Sequence, residues 1–207
     1  MTIEKVEEIK KLLEKKTKSR VEKIKKVVNY RQDDLTVVLE NIHDPHNVSA
    51  IFRTCDAVGV YQVNLVYTIE KFPEIGKKSS AGTRKWIEKR HFSSIKEAFE
   101  TLKKEGFTIY ASYLSEDAIS LYDIDLTQKV ALVFGNEHRG VSEDVLKYAD
   151  YKFIIPMVGM VQSLNVSVAA AVSLYEAFRQ RLKKGKFSKP VLSQDKYLDL
   201  LKKYLEK

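Results

Sequence analysis

Three stretches of this chain set small or hydrogen-bonding side chains between apolar flanks: HDPHNVSAIFRTCDAVGV (43–60), ALVFGNEHRGVS (131–142) and FIIPMVGMVQSLNVSVAAAVSLYEAFRQR (153–181). The third begins as an apolar strand and ends as a long amphipathic helix, with Gln162, Ser163 and Asn165 at the junction beside Val161 and Leu164. Such a junction gathers helix-start amides and short polar side chains, and α/β proteins commonly build ligand sites there. Ser163 and Asn165 also read as helix caps, but one cap needs one residue. In the first stretch, Asn47 and Arg53 stand six residues apart on one predicted helix. Arg53 lies between Ala50-Ile51-Phe52 and Ala57-Val58, where a partly buried guanidinium needs a partner. That partner is either a neighbouring carboxylate such as Asp56 or the phosphate of a ligand, to which Arg is well matched. In the second, Gly135-Asn136-Glu137 directly follows a predicted strand, where a glycine lets a ligand approach the backbone. Glu137 reads equally as a surface loop residue. The three stretches imply one site assembled from distant segments.

Other chemistries are absent from the pattern. His43-Asp44-Pro45-His46 has no Cys or third His nearby and is split by Pro45, so it reads as a turn in which Asp44 or His46 caps the next helix; no metal is expected. His138 has no acid–base partner in sequence. There is no Gly-x-Gly-x-x-Gly, no Walker loop and no Gly-x-Ser-x-Gly. The single cysteine, Cys55, excludes an internal disulfide and a multi-cysteine zinc site. With 44% hydrophobic and 31% charged residues over 207, the chain reads as a soluble globular domain able to bury a real core. No apolar run is long enough to cross a bilayer, and MTIEKVEEIKK has no apolar signal-peptide core, so a cytoplasmic location without membrane contact is expected.

The elements needed to position these residues follow from periodicity. Residues 3–28 show helical spacing, broken near Thr17-Lys18-Ser19. Strands are predicted at 35–40, 60–67, 107–112, 130–135 and 152–157, the last ended by Pro156. Helices are predicted from Asn47 to Val58, from a capping box at Ser94–Glu97 to Gly106, from Ser142 to Tyr148, from Leu164 to about Lys184, and through Tyr197–Leu205. Residues 70–85 read as a long loop, and Gly185 and Pro190 mark a linker. This alternation gives an α/β fold with a mainly parallel sheet flanked by helices. Charge divides along the same lines. The net charge of +8 comprises +6 in residues 1–32, +7 in 179–207 and −5 between them. A mildly acidic body with two basic extensions fits a polyanion-binding protein; solvated helix faces are the plainer reading of one such terminus, but two shift the balance toward nucleic acid.

Taken together, HNVSAIFRTCDAVG, LVFGNEHRGVS and IPMVGMVQSLNVSVAAA resemble, in order, the three motifs of the SPOUT superfamily of RNA methyltransferases, SpoU/TrmH type. The resemblance covers roughly residues 31–181, and RQDDLTVVLENIHDPHNVSA and EAFRQR resemble the tRNA-modifying TrmH branch. It implies a SPOUT domain over 31–184 with a deep trefoil knot at about 130–178, between a basic helical extension (1–30) and a basic helical tail (185–207). It also implies a homodimer with a shared site, and transfer of a methyl group from S-adenosylmethionine to a ribose 2′-OH, in this branch of a D-loop guanosine at tRNA position 18. Under the resemblance Arg53 is the catalytic arginine and Asn47 orients it, while Glu137, Ser163 and Asn165 organise knot and substrate. Ser112, Gly135, Ile155, Met157 and Leu164 would hold the cofactor, and Arg31, His46, Arg179 and Arg181 the RNA. Because Arg scarcely deprotonates in proteins, Arg53 is better cast as stabilising a developing alkoxide and fixing phosphate than as a base. The alternatives are a ribosomal-RNA 2′-O-methyltransferase of the same superfamily and a non-catalytic RNA-binding protein.

Overall fold

The computed structural model describes residues 3–74 and 85–207. Its centre is a seven-stranded sheet, parallel at every pairing: β1 (Leu35–Glu40), β2 (Gln62–Val66), β3 (Glu88–Phe92), β4 (Thr108–Ser112), β5 (Ile119–Ser120), β6 (Val130–Phe134) and β7 (Tyr151–Ile154), in the order β3-β2-β1-β6-β4-β7-β5. LTVVLE and VALVF, the continuous apolar runs, become β1 and β6 and are buried end to end. That is the pattern of strands covered on both faces. Val38 of β1 pairs with Asn64 of β2 on one side and Val133 of β6 on the other.

Helices α1 (Ile3–Glu14) and α2 (Lys18–Asn29) precede the sheet, with Thr17 capping α2 at the predicted break. Helix α3 (Pro45–Ala57) follows β1, with Asp44 as N-cap and Pro45 in the first turn, two residues ahead of the expected start. Helix α4 (Ile95–Lys104) opens on Ser94, whose hydroxyl accepts from the Glu97 N–H; the returning Glu97 carboxylate takes the N–H of Ser93 rather than that of Ser94. Helices α5 (Glu143–Tyr148), α6 (Val166–Lys183) and α7 (Gln194–Glu206) complete the chain. Helices α3 and α6 cover one face of the sheet, through Ile51, Phe52, Leu174 and Ala177; α4 and α5 cover the other, through Ala98, Phe99, Leu102 and Val145. Helices α1, α2 and α7 form a smaller core of their own around Ile9, Ile24, Val28, Leu201 and Leu205.

Two strands escape the periodicity. Strand β3 is EKRHF, a charged edge strand with no apolar run, and β5 is only two residues long. Strand β7 stops at Ile154, short of Pro156, and α6 starts at Val166 rather than Leu164, leaving 155–165 without regular structure. Most of the loop expected over 70–85 lies outside the described residues; 71–74 have no regular structure.

Candidate active site

Strand β1 is followed in sequence by β2, its neighbour on one side, and has β6 on the other, so the chain direction across the sheet reverses between β1 and β6. Ligands in open α/β sheets bind beyond the carboxyl ends of strands at such a switch point. Here the loops after β1, β6 and β7 converge. A cavity of about 510 Å³ is lined by Ser112 at the end of β4, by 134–140 at and after the end of β6, and by Ser163 to Val166 and Ala169 leading into the first turns of α6. Its size is that of a site for a cofactor-sized ligand.

Polar side chains from all three stretches form a hydrogen-bonded line at this cavity. The Asn165 amide donates to Asn47 Oδ1 (3.1 Å), and Asn47 Nδ2 donates to Glu137 Oε1 (2.9 Å). Glu137 also accepts the backbone N–H groups of Asp44 (3.1 Å) and His43 (3.0 Å). Burial by itself raises the Glu137 pKa, but hydrogen bonds from Asn47, His43 and Asp44 outweigh it and hold the carboxyl below its ordinary value. Held by these donors, the Glu137 carboxylate fastens the loops after β1 and β6 together. Asn165 does two jobs: its Oδ1 caps α6 by accepting from Ser167 N (2.9 Å), while its amide serves the line to Glu137.

Of the expected cofactor residues, Ser112, Gly135 and Leu164 line the cavity; Ile155 and Met157 lie on the segment after β7, outside its lining. Gly135 is required for a reason other than ligand approach. A Cβ there would meet the Gly140 carbonyl oxygen at 2.2 Å, so the glycine lets the 136–140 hairpin close on itself, with Asn136 and Gly140 exchanging backbone hydrogen bonds of 2.9 Å.

Several expectations are corrected. Arg53 is exposed rather than partly buried, has no ion-pair partner among the described residues and is not in the cavity lining. Asp56, the neighbouring carboxylate that is one of its two candidate partners, binds Arg31. Within one chain Asn47 and Arg53 do not meet: six residues at about 100° each turn the two side chains onto different sides of α3, and the Asn47 amide is engaged by Glu137 and Asn165. Arg31 and Arg181, expected to contact RNA, are fully buried. Arg31 donates to Asp56, to Val60 O (3.1 Å) and to the Tyr204 hydroxyl (3.1 Å); Arg181 donates to Asp34 (2.5 Å), Gln32 (2.9 Å) and the carbonyls of Leu126 and Gln128. Both are internal fasteners with no donors left for phosphate. His46 is exposed, and Arg179 is exposed while forked onto Glu176 at 2.8 Å. Cys55 is buried among apolar side chains, which pushes its thiol pKa up.

Sequence reasoning missed Asn41, Asn136, Glu70 and Arg139. Asn136 and Arg139 line the cavity, and Arg139 is paired with Glu70 at 2.8 Å. One signal existed: Asn41 and Asn136 each stand at the end of an apolar strand, where an asparagine favours a turn held by its own side chain.

Known proteins resemble this chain in sequence and in fold. The model of the SpoU rRNA methylase family matches residues 34–175. The chain is 48% identical over 195 residues (94% of this chain and 100% of the relative) to a protein of Thermus thermophilus named tRNA (guanosine(18)-2′-O)-methyltransferase. It is 43% identical to the Escherichia coli protein of that name over 82% of this chain and 73% of the relative. The crystal structure of the TrmH/SpoU tRNA-modifying enzyme of Aquifex aeolicus superposes with a TM-score of 0.85 at 40% identity, covering 91% of this chain and 95% of that one. The SpoU methyltransferase AviRb of Streptomyces viridochromogenes, solved with the cofactor AdoMet, superposes with a TM-score of 0.67 at 28% identity, over 74% of this chain and 62% of that one. With its three motif stretches meeting at one cavity and a family match over most of its length, the chain belongs to the SpoU methylase family.

Proposed function

We propose that this protein is an S-adenosylmethionine-dependent tRNA methyltransferase acting on the ribose 2′-OH of guanosine 18. The observation that carries this reading is its 48% identity, over the relative's whole length, to an enzyme named for that reaction. The cavity chemistry supports the cofactor: Phe134, Leu164, Val166 and Ala169 offer an apolar wall for a purine, and Ser112, Asn136 and Ser163 offer hydrogen-bonding groups beside it. When bound, the cofactor supplies an electrophilic sulfonium methyl group.

The chain's residues then act by positioning and by charge. Glu137, Asn47 and Asn165 fix the loops that frame the cavity, so the reacting groups meet with little reorganisation. Arg53, exposed and without an ion-pair partner among the described residues, is free to bind an RNA phosphate and to stabilise the alkoxide that develops at the 2′-oxygen. Because Arg53 does not line its own chain's cavity, we read the enzyme as a homodimer in which the partner subunit's Arg53 completes the site. An unpartnered apolar surface supports this: Val168 and Tyr175 on α6 and Val158, Met160 and Val161 before it are exposed. Residues 31–184 would be the methyltransferase body with its C-terminal part, about 130–178, knotted, and 1–30 and 185–207 the RNA-binding extensions. The strand order, with β6 and β7 each inserted beside the earlier β4, supports such a path. No helix of the described residues is long and apolar enough to cross a membrane, and we place the enzyme's work in the cytoplasm.

The test is to incubate purified protein with labelled S-adenosylmethionine and unmodified tRNA and to map the methylated ribose. Label at guanosine 18 is expected. Label on ribosomal RNA but not tRNA would overturn the substrate assignment, and cofactor binding without transfer to any RNA would overturn the activity.

A further inference from the structure

Among the described residues Asn41 is the one non-glycine with a positive φ, +49°. It sits at the end of β1, is 4% exposed, and belongs to none of the three motifs. Non-glycine residues rarely hold that backbone conformation unless the surroundings fix it, and asparagine tolerates it best. Here the surroundings do fix it. The Asn41 side-chain oxygen accepts three successive backbone N–H groups, those of Thr68 (2.9 Å), Ile69 (3.0 Å) and Glu70 (3.2 Å), in the loop after β2. Its backbone carbonyl accepts from the side-chain amide of Asn136, in the loop after β6, at 2.7 Å. Asn136 Oδ1 in turn accepts the N–H groups of His138 (3.0 Å) and Arg139 (3.2 Å).

The consequences reach the cavity by two routes. Glu70, whose N–H ends on Asn41, holds Arg139 at the cavity rim and faces His43 Nδ1 at 3.4 Å. His43 and Asp44, two and three residues after Asn41, donate the backbone bonds that fasten Glu137. We infer that Asn41 is a positioning residue of the methyl-transfer reaction: it ties the loops after β1, β2 and β6 into one unit and thereby holds Glu137 and Arg139 in place. This rests on the function proposed above. Asn41 does not line the cavity, so it acts through other residues.

Three variants separate positioning from bulk stability. Asn41→Gly keeps the backbone conformation and removes the side-chain anchor. Asn41→Asp keeps the acceptor oxygen. Asn64→Ala removes a different buried asparagine, bonded to Thr36 Oγ1 at 2.8 Å away from the cavity, and serves as the stability control. Asn41→Gly is expected to lower kcat by about 10- to 100-fold, the scale of a misplaced reacting group, with a much smaller change in KM for tRNA. Asn41→Asp should restore most of that loss, and Asn64→Ala should leave kcat within about threefold of wild type at equal or greater loss of thermal midpoint. Amide hydrogen exchange, which needs no substrate, should quicken in Asn41→Gly at Thr68, Ile69 and Glu70 and also at His43, Asp44, His138 and Arg139. Quickening at 68–70 alone, unchanged kcat, or an equal kcat loss in Asn64→Ala would overturn the inference. If Asn41→Gly does not fold, Asn41→Asp decides: an active enzyme supports the inference, and a folded but inactive one overturns it. A wild-type protein that methylates no tRNA would instead overturn the proposed function, and the exchange pattern would still judge the coupling of the loops.

Discussion

At the scale of single residues, this chain sorts its arginines by what they are left to do. Arg31 and Arg181 are fully buried and spend their donors on carboxylates, carbonyls and, for Arg31, the Tyr204 hydroxyl. Removing Arg31 would leave Asp56 without its ion-pair partner, whereas Asp34 would keep Lys186 if Arg181 were removed. Arg53 is the opposite, exposed and without an ion-pair partner among the described residues. Arg53→Ala is therefore expected to leave the unfolding midpoint unchanged, within about 0.5 kcal/mol, because surface substitutions away from special features rarely cost more. Methyl transfer should fall by about 100-fold or more, on the scale of losing one transition-state hydrogen-bond donor, about 2.7–4 kcal/mol. If the site is shared across a dimer, mixing Arg53→Ala subunits with Asn165→Ala subunits should recover activity, since each mixed dimer then carries one intact site. A mixture as inactive as either parent would place Arg53 in its own subunit's site. Sequence spacing alone could not sort these side chains. Helical spacing already turns Arg53 and Asn47 apart on α3, but the distant Arg31 that captures Asp56 and leaves Arg53 unpaired among the described residues is a tertiary fact.

At the scale of elements, the start of α6 shows how one residue can serve both fold and site. Asn165 is the N-cap, and its amide is also one end of the line to Glu137. The two roles use different atoms, so they can be separated. Asn165→Asp keeps an oxygen to cap the helix and improves the match to the positive end of the helix dipole, so stability should be kept. It replaces the amide donor to Asn47 Oδ1 with an acceptor and adds a negative charge near Glu137. Activity is expected to drop by at least about tenfold, the scale of one hydrogen bond turned unfavourable, while the thermal midpoint holds or rises. Asn165→Ala should lose activity and about 1 kcal/mol together. An active Asn165→Asp enzyme would show that capping is all this residue does. Much of this element was legible beforehand: apolar spacing located α6 and β1, and Ser94, Ser142 and Thr17 marked helix starts. What was not legible was β3, because an edge strand with Glu88, Lys89 and Arg90 carries no hydrophobic signal, and the reach of Asn41, because its partners lie 27 to 95 residues away.

At the scale of the whole molecule, the two basic extensions are one structure. Leu192, Leu201 and Leu205 of the tail pack with Ile9, Ile24 and Val28 of the first two helices, and Tyr204 accepts from the buried Arg31. Deleting either extension would strip the apolar face of the other, so truncation would confound RNA binding with stability. The charges can be changed without touching that core. Lys18, Lys23, Lys25 and Lys26 on α2 are exposed, and none is in an ion pair among the described residues, unlike Lys202 with Glu8 or Lys196 with Asp33. Replacing those four with Gln should leave the unfolding midpoint and S-adenosylmethionine affinity near wild type. If they meet tRNA phosphates, each phosphate no longer neutralised keeps its condensed counterion. The dependence of log affinity on log salt should then flatten by about one unit or less per lysine replaced. Affinity should fall most at low salt, where counterion release contributes most, and the two proteins should converge as salt rises. The same substitutions would change nothing if these lysines only solvate a helix face. An unchanged salt slope in the four-lysine variant would thus move the RNA-binding surface elsewhere, to the ground around Arg179, His46 and the cavity rim.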